Sequence, residues 1–323
     1  MIKNMRKLAV AGIGAALLLT ACGGGGDDGN SGGGDGGAPE KAEITVGVLP
    51  LADYSTVYWA QENGFFEKEG LTVTLEPVQG GPVGAQKVAT GELDFSISNT
   101  FTTATATQSG MPVKTVVLGS ALGDNSIGMY VKPDSAIKGI EDLDGKTIGI
   151  NTTSNVGDVT FRALAKEKGI EVNPTFVEVP FPEMLTGVQS DSIDVGYAPE
   201  PFLSAARNAD MRQVVDLTEG PNNKLAVSNF VAGDNFLNKN PNTAAAFARA
   251  MYAANKDILS KEKEWREWLP TVTKVPADTA LEMPMPTFIT ETDVAEIQRV
   301  ADMMMDQGIL ESGYEAEQFT WTE

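Results

Sequence analysis

The residue types that do chemistry are unevenly supplied in this chain of 323 residues, which has no histidine and a single cysteine, Cys22. Without histidine, neither a Ser-His-Asp nor a Cys-His nucleophile system can be assembled, and His-ligated metal sites are excluded. One cysteine rules out an internal disulfide framework. The chain offers instead hydroxyls, amides and glycines gathered in five short stretches, 50–54, 79–82, 98–100, 151–155 and 197–200. Each follows a run of β-forming residues, and several lead into a helix. Free backbone N–H groups at helix starts, with the hydroxyls of Ser98, Thr100, Thr152, Thr153 and Ser154, suit an oxyanion such as a sulfonate. Gly80, Gly81, Asn99 and Asn155 complete the same stretches. None of the five contains Arg or Lys, so a fully charged anion would rest on dipoles alone.

Two acids point another way. Asp53 and Glu200, if they face a common cleft, suit an amino group or a ring N–H, with Tyr54, Tyr58, Trp59, Phe101 and Tyr197 available to stack on a flat ring. Each has a plainer reading. Asp53 can cap the first helix, Glu200 followed by Pro201 is an ordinary helix start, and Tyr58 and Trp59 can be core. The two sets of residues leave open a zwitterion such as taurine and a polar nitrogen heterocycle such as a pyrimidine. The helix starts and hydroxyls favour a solute that carries an oxyanion.

Elements of one kind must position these stretches. In 146–169, Thr147, Ile148 and Ile150 form a short buried strand, and the polar residues 151–155 turn the chain. Ser154 or Asn155 caps a helix with Asp158 in its first turn. Val156, Val159, Ala163 and Leu164 share one helical face, Gly169 ends the helix, and Ile170 folds back over it. The same alternation runs from residue 43 to 118 and from 146 to 217. It predicts α/β architecture with right-handed crossovers, each lobe a mainly parallel sheet flanked by helices. Asp94 and Asp194 occupy like places in the two halves and are expected to pin strand edges. The segment 127–131 reads as an extended crossing and 225–231 as a return strand. Helical spacing resumes after residue 240, with Ala244, Phe247, Ala248 and Met251, then Val294, Ile297, Val300 and Ala301. Met303, Met304 and Met305 are expected as core filling, and Trp265 and Trp268 as anchors of a helix on a lobe surface. The expected organisation is a two-lobe clamp, with 42–128 plus 232–323 in one lobe and 129–231 in the other.

The amino terminus carries a different signal. Lys3, Arg6 and Lys7 precede an uncharged run over 8–19, too short to span a bilayer comfortably and suited to a signal peptide over 1–21. Leu19-Thr20-Ala21-Cys22 resembles the lipobox of bacterial lipoproteins, which implies cleavage before Cys22 and its lipidation. Residues 22–41 then read as the lipidated cysteine and a Gly/Asp-rich tether. The formal net charge of −20 argues against nucleic acid and anionic membrane surfaces as partners, leaving a lipid anchor as the only membrane contact. A leashed globule on the extracytoplasmic face of the cell membrane is expected to capture, sense or adhere.

Four segments resemble a known family: GFFEKEGLTVTLEPVQGG (64–81), GELDFSIS (91–98), IEDLDGKTIGI (140–150) and IDVGYAPEPF (193–202). They look like the substrate-binding proteins of ABC importers for nitrate, sulfonates, taurine and thiamine pyrimidine precursors. The resemblance covers most of 43–260 and implies the type II periplasmic-binding-protein clamp, with Asp53, Tyr54, Gly80, Gly81, Ser98, Asn99, Thr100, Thr152, Thr153, Ser154, Asn155, Tyr197 and Glu200 in loops that line the ligand site. It implies capture of a small molecule by a monomer without cofactor or metal, followed by delivery to ABC permease and ATPase subunits. Eukaryotic pyrimidine synthases of the same superfamily use His and a Cys-rich iron motif, and this chain has neither outside Cys22. No enzymatic activity is therefore expected. A ligand-presenting module for a sensor partner would share every one of these features.

Overall fold

A computed structural model describes residues 37–273 and 275–322. The expected signal peptide, Cys22 and most of the tether lie outside the described residues. The described chain builds two sheets flanked by helices. The first comprises β1 (Glu43–Val48), β2 (Thr72–Pro77), β3 (Phe95–Asn99), β4 (Val113–Ala121), β10 (Ala226–Gly233) and β11 (Thr287–Phe288), in the order β11-β4-β10-β3-β1-β2. The second comprises β5 (Ile127–Val131), β6 (Thr147–Ile150), β7 (Thr175–Glu178), β8 (Val195–Pro199) and β9 (Arg212–Asp216), in the order β7-β6-β8-β5-β9. The helices are α1 (Thr56–Glu62), α2 (Phe65–Lys68), α3 (Gly81–Thr90), α4 (Thr100–Gln108), α5 (Val156–Glu167), α6 (Phe181–Gln189), α7 (Phe202–Asn208), α8 (Asp234–Lys239), α9 (Pro241–Ser260), α10 (Glu262–Trp268), α11 (Pro270–Thr273), α12 (Ala277–Glu282) and α13 (Val294–Asp306).

The βα units pair in parallel, β1 with β2 and β3, β6 with β7 and β8. Each sheet also holds one reversed strand inside it. β10 lies antiparallel between β3 and β4, and β5 lies antiparallel between β8 and β9. These two are the first strands met after each crossing between the sheets. The segment 127–131 is thus a fully buried strand of the second sheet rather than a crossing, and the crossings fall at 122–126 and 217–225. The expected boundaries at 128/129 and 231/232 cut through β5 and β10.

The two halves repeat one device at the same point. Asp94 Oδ2 accepts from the N–H of Thr45 at 2.8 Å, and Asp194 Oδ2 accepts from the N–H of Thr147 at 2.8 Å. Each acid satisfies a donor at the start of the strand beside it, as expected for strand-edge pins. Lys41 Nζ adds a salt bridge to Asp94 at 2.7 Å.

The first lobe buries Phe95 and Phe247 stacked at 4.1 Å, with Phe66 on the other side of Phe247 at 5.6 Å. Trp59 belongs to this lobe's core, its indole N–H donating to Asp257 Oδ2 at 3.0 Å, and Tyr58 packs against that core. Trp265 is fully buried and donates to Ser55 Oγ at 3.0 Å, so it is core rather than a surface anchor. Phe101 is fully buried with the second lobe's aliphatic side chains. Trp59 and Phe101 are thus core residues. Val300, Ala301 and Met304 of α13 join that second cluster, with Met303 and Met305 packed at its margin. α13 lies against both α4 and α5, so the C-terminal helix touches both lobes. No helix among the described residues is long and apolar enough to cross a membrane.

Candidate functional site

The strands β3 and β6 end in helices capped the same way. Asn99 ends β3 and caps α4, its Oδ1 accepting from the N–H of Thr102 at 2.8 Å. Asn155 caps α5, its Oδ1 accepting from the N–H of Val156 at 3.0 Å. Asp158 completes a capping box, accepting from the N–H groups of Asn155 at 2.8 Å and Ser154 at 2.9 Å. The two caps meet across the lobes. Asn99 Nδ2 donates to Asn155 Oδ1 at 3.1 Å, and Asn155 Nδ2 donates to Thr102 Oγ1 at 2.9 Å.

Asp53 and Tyr197 come one from each lobe and lie close enough for the acid to act on the phenol. Asp53 sits in a single helical turn, Ala52–Tyr54, and makes no cap to α1. Its carbonyl oxygen accepts from the hydroxyls of Ser228 at 3.2 Å and Ser120 at 3.5 Å. Its carboxyl Oδ1 is sealed from solvent with no hydrogen-bond partner. Burial pushes this carboxyl up to about 7, opposed only by its own backbone N–H. Tyr54 is buried and donates from its hydroxyl to the carbonyl of Ser98 at 2.6 Å. Burial raises the phenols of Tyr54 and Tyr197, and the negative charge of Asp53 raises both further. Asp158 acts on Tyr197 as well. The ring of Tyr197 lies against Gly157, where any Cβ would meet it at 3.0 Å.

Several expected ligand groups are engaged within the chain. The N–H and hydroxyl of Thr153 both donate to Glu178 Oε1 at 2.8 Å, which holds that carboxyl below its usual range. Thr100 Oγ1 donates to the carbonyl of Ala226, and Ser98 Oγ accepts from Thr103 Oγ1 at 3.1 Å. Thr152 Oγ1 accepts from Asn151 Nδ2 at 3.2 Å. Glu200 turns into its own lobe. Its Oε1 accepts from Arg207 at 3.0 Å and its Oε2 from the N–H of Ser204 at 3.1 Å. Burial is the main influence on Glu200 and raises it, countered by Ser204 and Arg207. Glu200 thus accepts from an N–H in the first turn of α7, as an acid at a helix start does.

Thr152, Thr153, Ser154 and Asn155 line one wall of a hollow of about 320 Å³, with Pro82, Thr102 and Thr105 opposite. Gly81 brings the start of α3 to this side, since a Cβ there would meet Ser98 Cα and Thr102 Oγ1 at 3.3 Å. Gly80 immediately precedes it as the N-cap of α3. A larger groove of about 700 Å³ lies elsewhere, along α5 and residues 169–173, and takes none of the expected residues.

Sequence reasoning missed the roles of Glu178, Phe181 and Phe202. Phe181 stacks on Phe202 at 5.5 Å and tilts against Tyr197 at 5.9 Å, extending an aromatic wall from Tyr197. Both rings are half-buried, and Phe202 also packs against the first lobe's core. Asp158 was legible as a dipole partner, and its spacing from Asn155 is that of a capping box.

Comparison with known proteins agrees with this architecture. The NMT1/THI5-like family model matches residues 52–264, and the chain belongs to that family. The taurine-binding periplasmic protein of Escherichia coli is 26 % identical over 247 residues, covering 73 % of this chain and 75 % of that protein. A 4-amino-5-hydroxymethyl-2-methylpyrimidine phosphate synthase of Saccharomyces cerevisiae is 25 % identical over 255 residues, covering 71 % of each. Among solved structures, the alkanesulfonate-binding protein from Xanthomonas axonopodis pv. citri bound to MOPS superposes with a TM-score of 0.73 at 16 % identity, covering 87 % of this chain and 99 % of that one. The fold is that of the periplasmic binding proteins.

Proposed function

We propose that this chain is the solute-capturing subunit of an ABC importer. It holds a small polar organic molecule between its two lobes and delivers it, unchanged, to a membrane permease driven by an ATPase. The carrying observation is the meeting of like elements from opposite lobes, Asn99 against Asn155, with Asp53 close enough to Tyr197 to act on its phenol. In open α/β sheets ligands bind outside the carboxyl ends of strands, and here two sets of such ends face each other. The binding proteins named above, for taurine and alkanesulfonates, support the sulfonate, taurine and nitrate class of solute. The lack of histidine supports capture over turnover, despite the likeness to a synthase. The protein acts as a monomer, tethered through a lipid on Cys22 to the extracytoplasmic face of the cell membrane.

The test is genetic and chemical together. The molecule released on denaturing the purified protein is identified by mass spectrometry, and its uptake is measured in cells with and without the gene. Loss of uptake on deletion, restored by the wild-type gene, supports the proposal. Uptake that persists at the wild-type rate, or turnover of the molecule by the purified protein, contradicts it.

A further inference from the structure

Resting on that capture reading, we propose that the solute presents a protonated nitrogen to the cleft and that Asp53 is the residue that reads it. Four observations lead there. First, Asp53 Oδ1 is a sealed acceptor with no partner in the chain. A buried polar atom left unpaired costs stability, so a site that keeps one has a use for it. Second, the backbone of Asp53 is held, because its carbonyl accepts from the hydroxyl of Ser228 at 3.2 Å, which in turn accepts from that of Ser120 at 2.8 Å. The main chain that carries the carboxyl is therefore positioned by the first sheet.

Third, the groups that would cradle an oxyanion on the second lobe are already engaged. Asp158 takes the N–H groups of Ser154 and Asn155, Asn155 takes that of Val156, and Glu178 takes both donors of Thr153. A carboxylate of the chain itself thus occupies the start of α5, the place an incoming anion would use. Fourth, the local charge is negative. Asp53 and Asp158 both act on Tyr197, and Arg207 is spent on Glu200. An anion-only solute would enter against that field with the N–H groups at the start of α5 already engaged. A solute with an ammonium, or a protonated ring nitrogen, would satisfy Asp53 and lower the field at once. A sulfonate with an amino group meets this requirement; a plain alkanesulfonate or nitrate does not.

The test uses matched probes on the full chain by calorimetry and thermal shift: taurine against ethanesulfonate, and an aminopyrimidine against the same ring without its amino group. The proteins are wild type and Asp53→Asn, which keeps shape and removes the charge. The expected result is that only nitrogen-bearing members bind, and that Asp53→Asn weakens binding by about tenfold or more. Equal binding of the nitrogen-free members, or unchanged affinity in the folded Asp53→Asn protein, overturns the inference while leaving capture intact. If Asp53→Asn does not fold, the matched pairs on wild type still decide. If no probe binds wild type and no small molecule comes off on denaturation, the capture reading itself fails, and this inference with it.

Discussion

Asn99 and Asn155 each cap the helix that follows a strand of its own sheet, and Asn99 Nδ2 donates to Asn155 Oδ1 at 3.1 Å. One side chain in each lobe therefore does two jobs. It satisfies helix N–H groups that would otherwise be orphaned, and it joins the lobes at the mouth of the site. A local sequence rule thereby fixes a long-range contact.

Replacing Asn155 by Ala is expected to destabilise the protein by about 1–2 kcal/mol through the lost cap alone. The double change with Asn99→Ala is expected to cost less than the sum of the single changes, with about 0.5–1.5 kcal/mol of coupling. Urea denaturation of the four proteins measures this. Strict additivity would mean that the two amides do not hold the lobes together in solution.

Asp53 gives a pH signature. Its carboxyl is raised from 3.8 to about 7 by burial. Between those values the folded protein keeps a proton that the unfolded chain has released. Stability is therefore greatest below about pH 4 as far as this group is concerned, falls as pH rises toward 7, and is flat above. At about 1.4 kcal/mol per pKa unit, the whole effect is at most roughly 4 kcal/mol. Asp53→Asn should abolish that slope and melt higher than wild type at pH 8. An unchanged slope in the variant would assign the titration elsewhere.

Arg207→Ala leaves Glu200, whose side chain is 2 % exposed, without its ion partner. Breaking such a pair typically costs about 3–5 kcal/mol. Since the Arg207 side chain is 29 % exposed, the lower end is expected. The variant should melt lower, by an amount that shrinks as pH falls and Glu200 takes up its proton. Solute affinity should change far less than stability, because Glu200 faces its own lobe.

Cys22→Ser should abolish incorporation of labelled palmitate in a bacterial host and move the protein from the membrane fraction to the soluble fraction. Retention of label in the variant would place the lipid on another residue.

The βα alternation was legible because apolar runs of strand length are divided by glycines such as Gly91 and Gly169, both with positive φ. The paired roles of Asp94 and Asp194 could be read from their like settings. The strand at 127–131 could not, since nothing local marks a strand whose partners, β8 and β9, come about seventy residues later or more. The site divided in the same way. Asn99 and Asn155 carried their capping chemistry openly. The fate of Glu200 depended on Arg207 one helix away, and the aromatic wall depended on Phe181 and Phe202 meeting from two different helices. The hydroxyls of Thr100 and Thr153 looked available because their acceptors, the Ala226 carbonyl and Glu178, are distant in sequence.

The most direct measurement is melting of the purified chain against a panel of small polar solutes that includes taurine, alkanesulfonates, nitrate and aminopyrimidines. The prediction is one chemical group of compounds that stabilises saturably, by about 2.7 kcal/mol at a hundredfold excess over Kd. That gain should vanish when either Asp53 from one lobe or Tyr197 from the other is replaced. A panel that moves nothing, or a gain that survives both replacements, would contradict a site shared between the lobes.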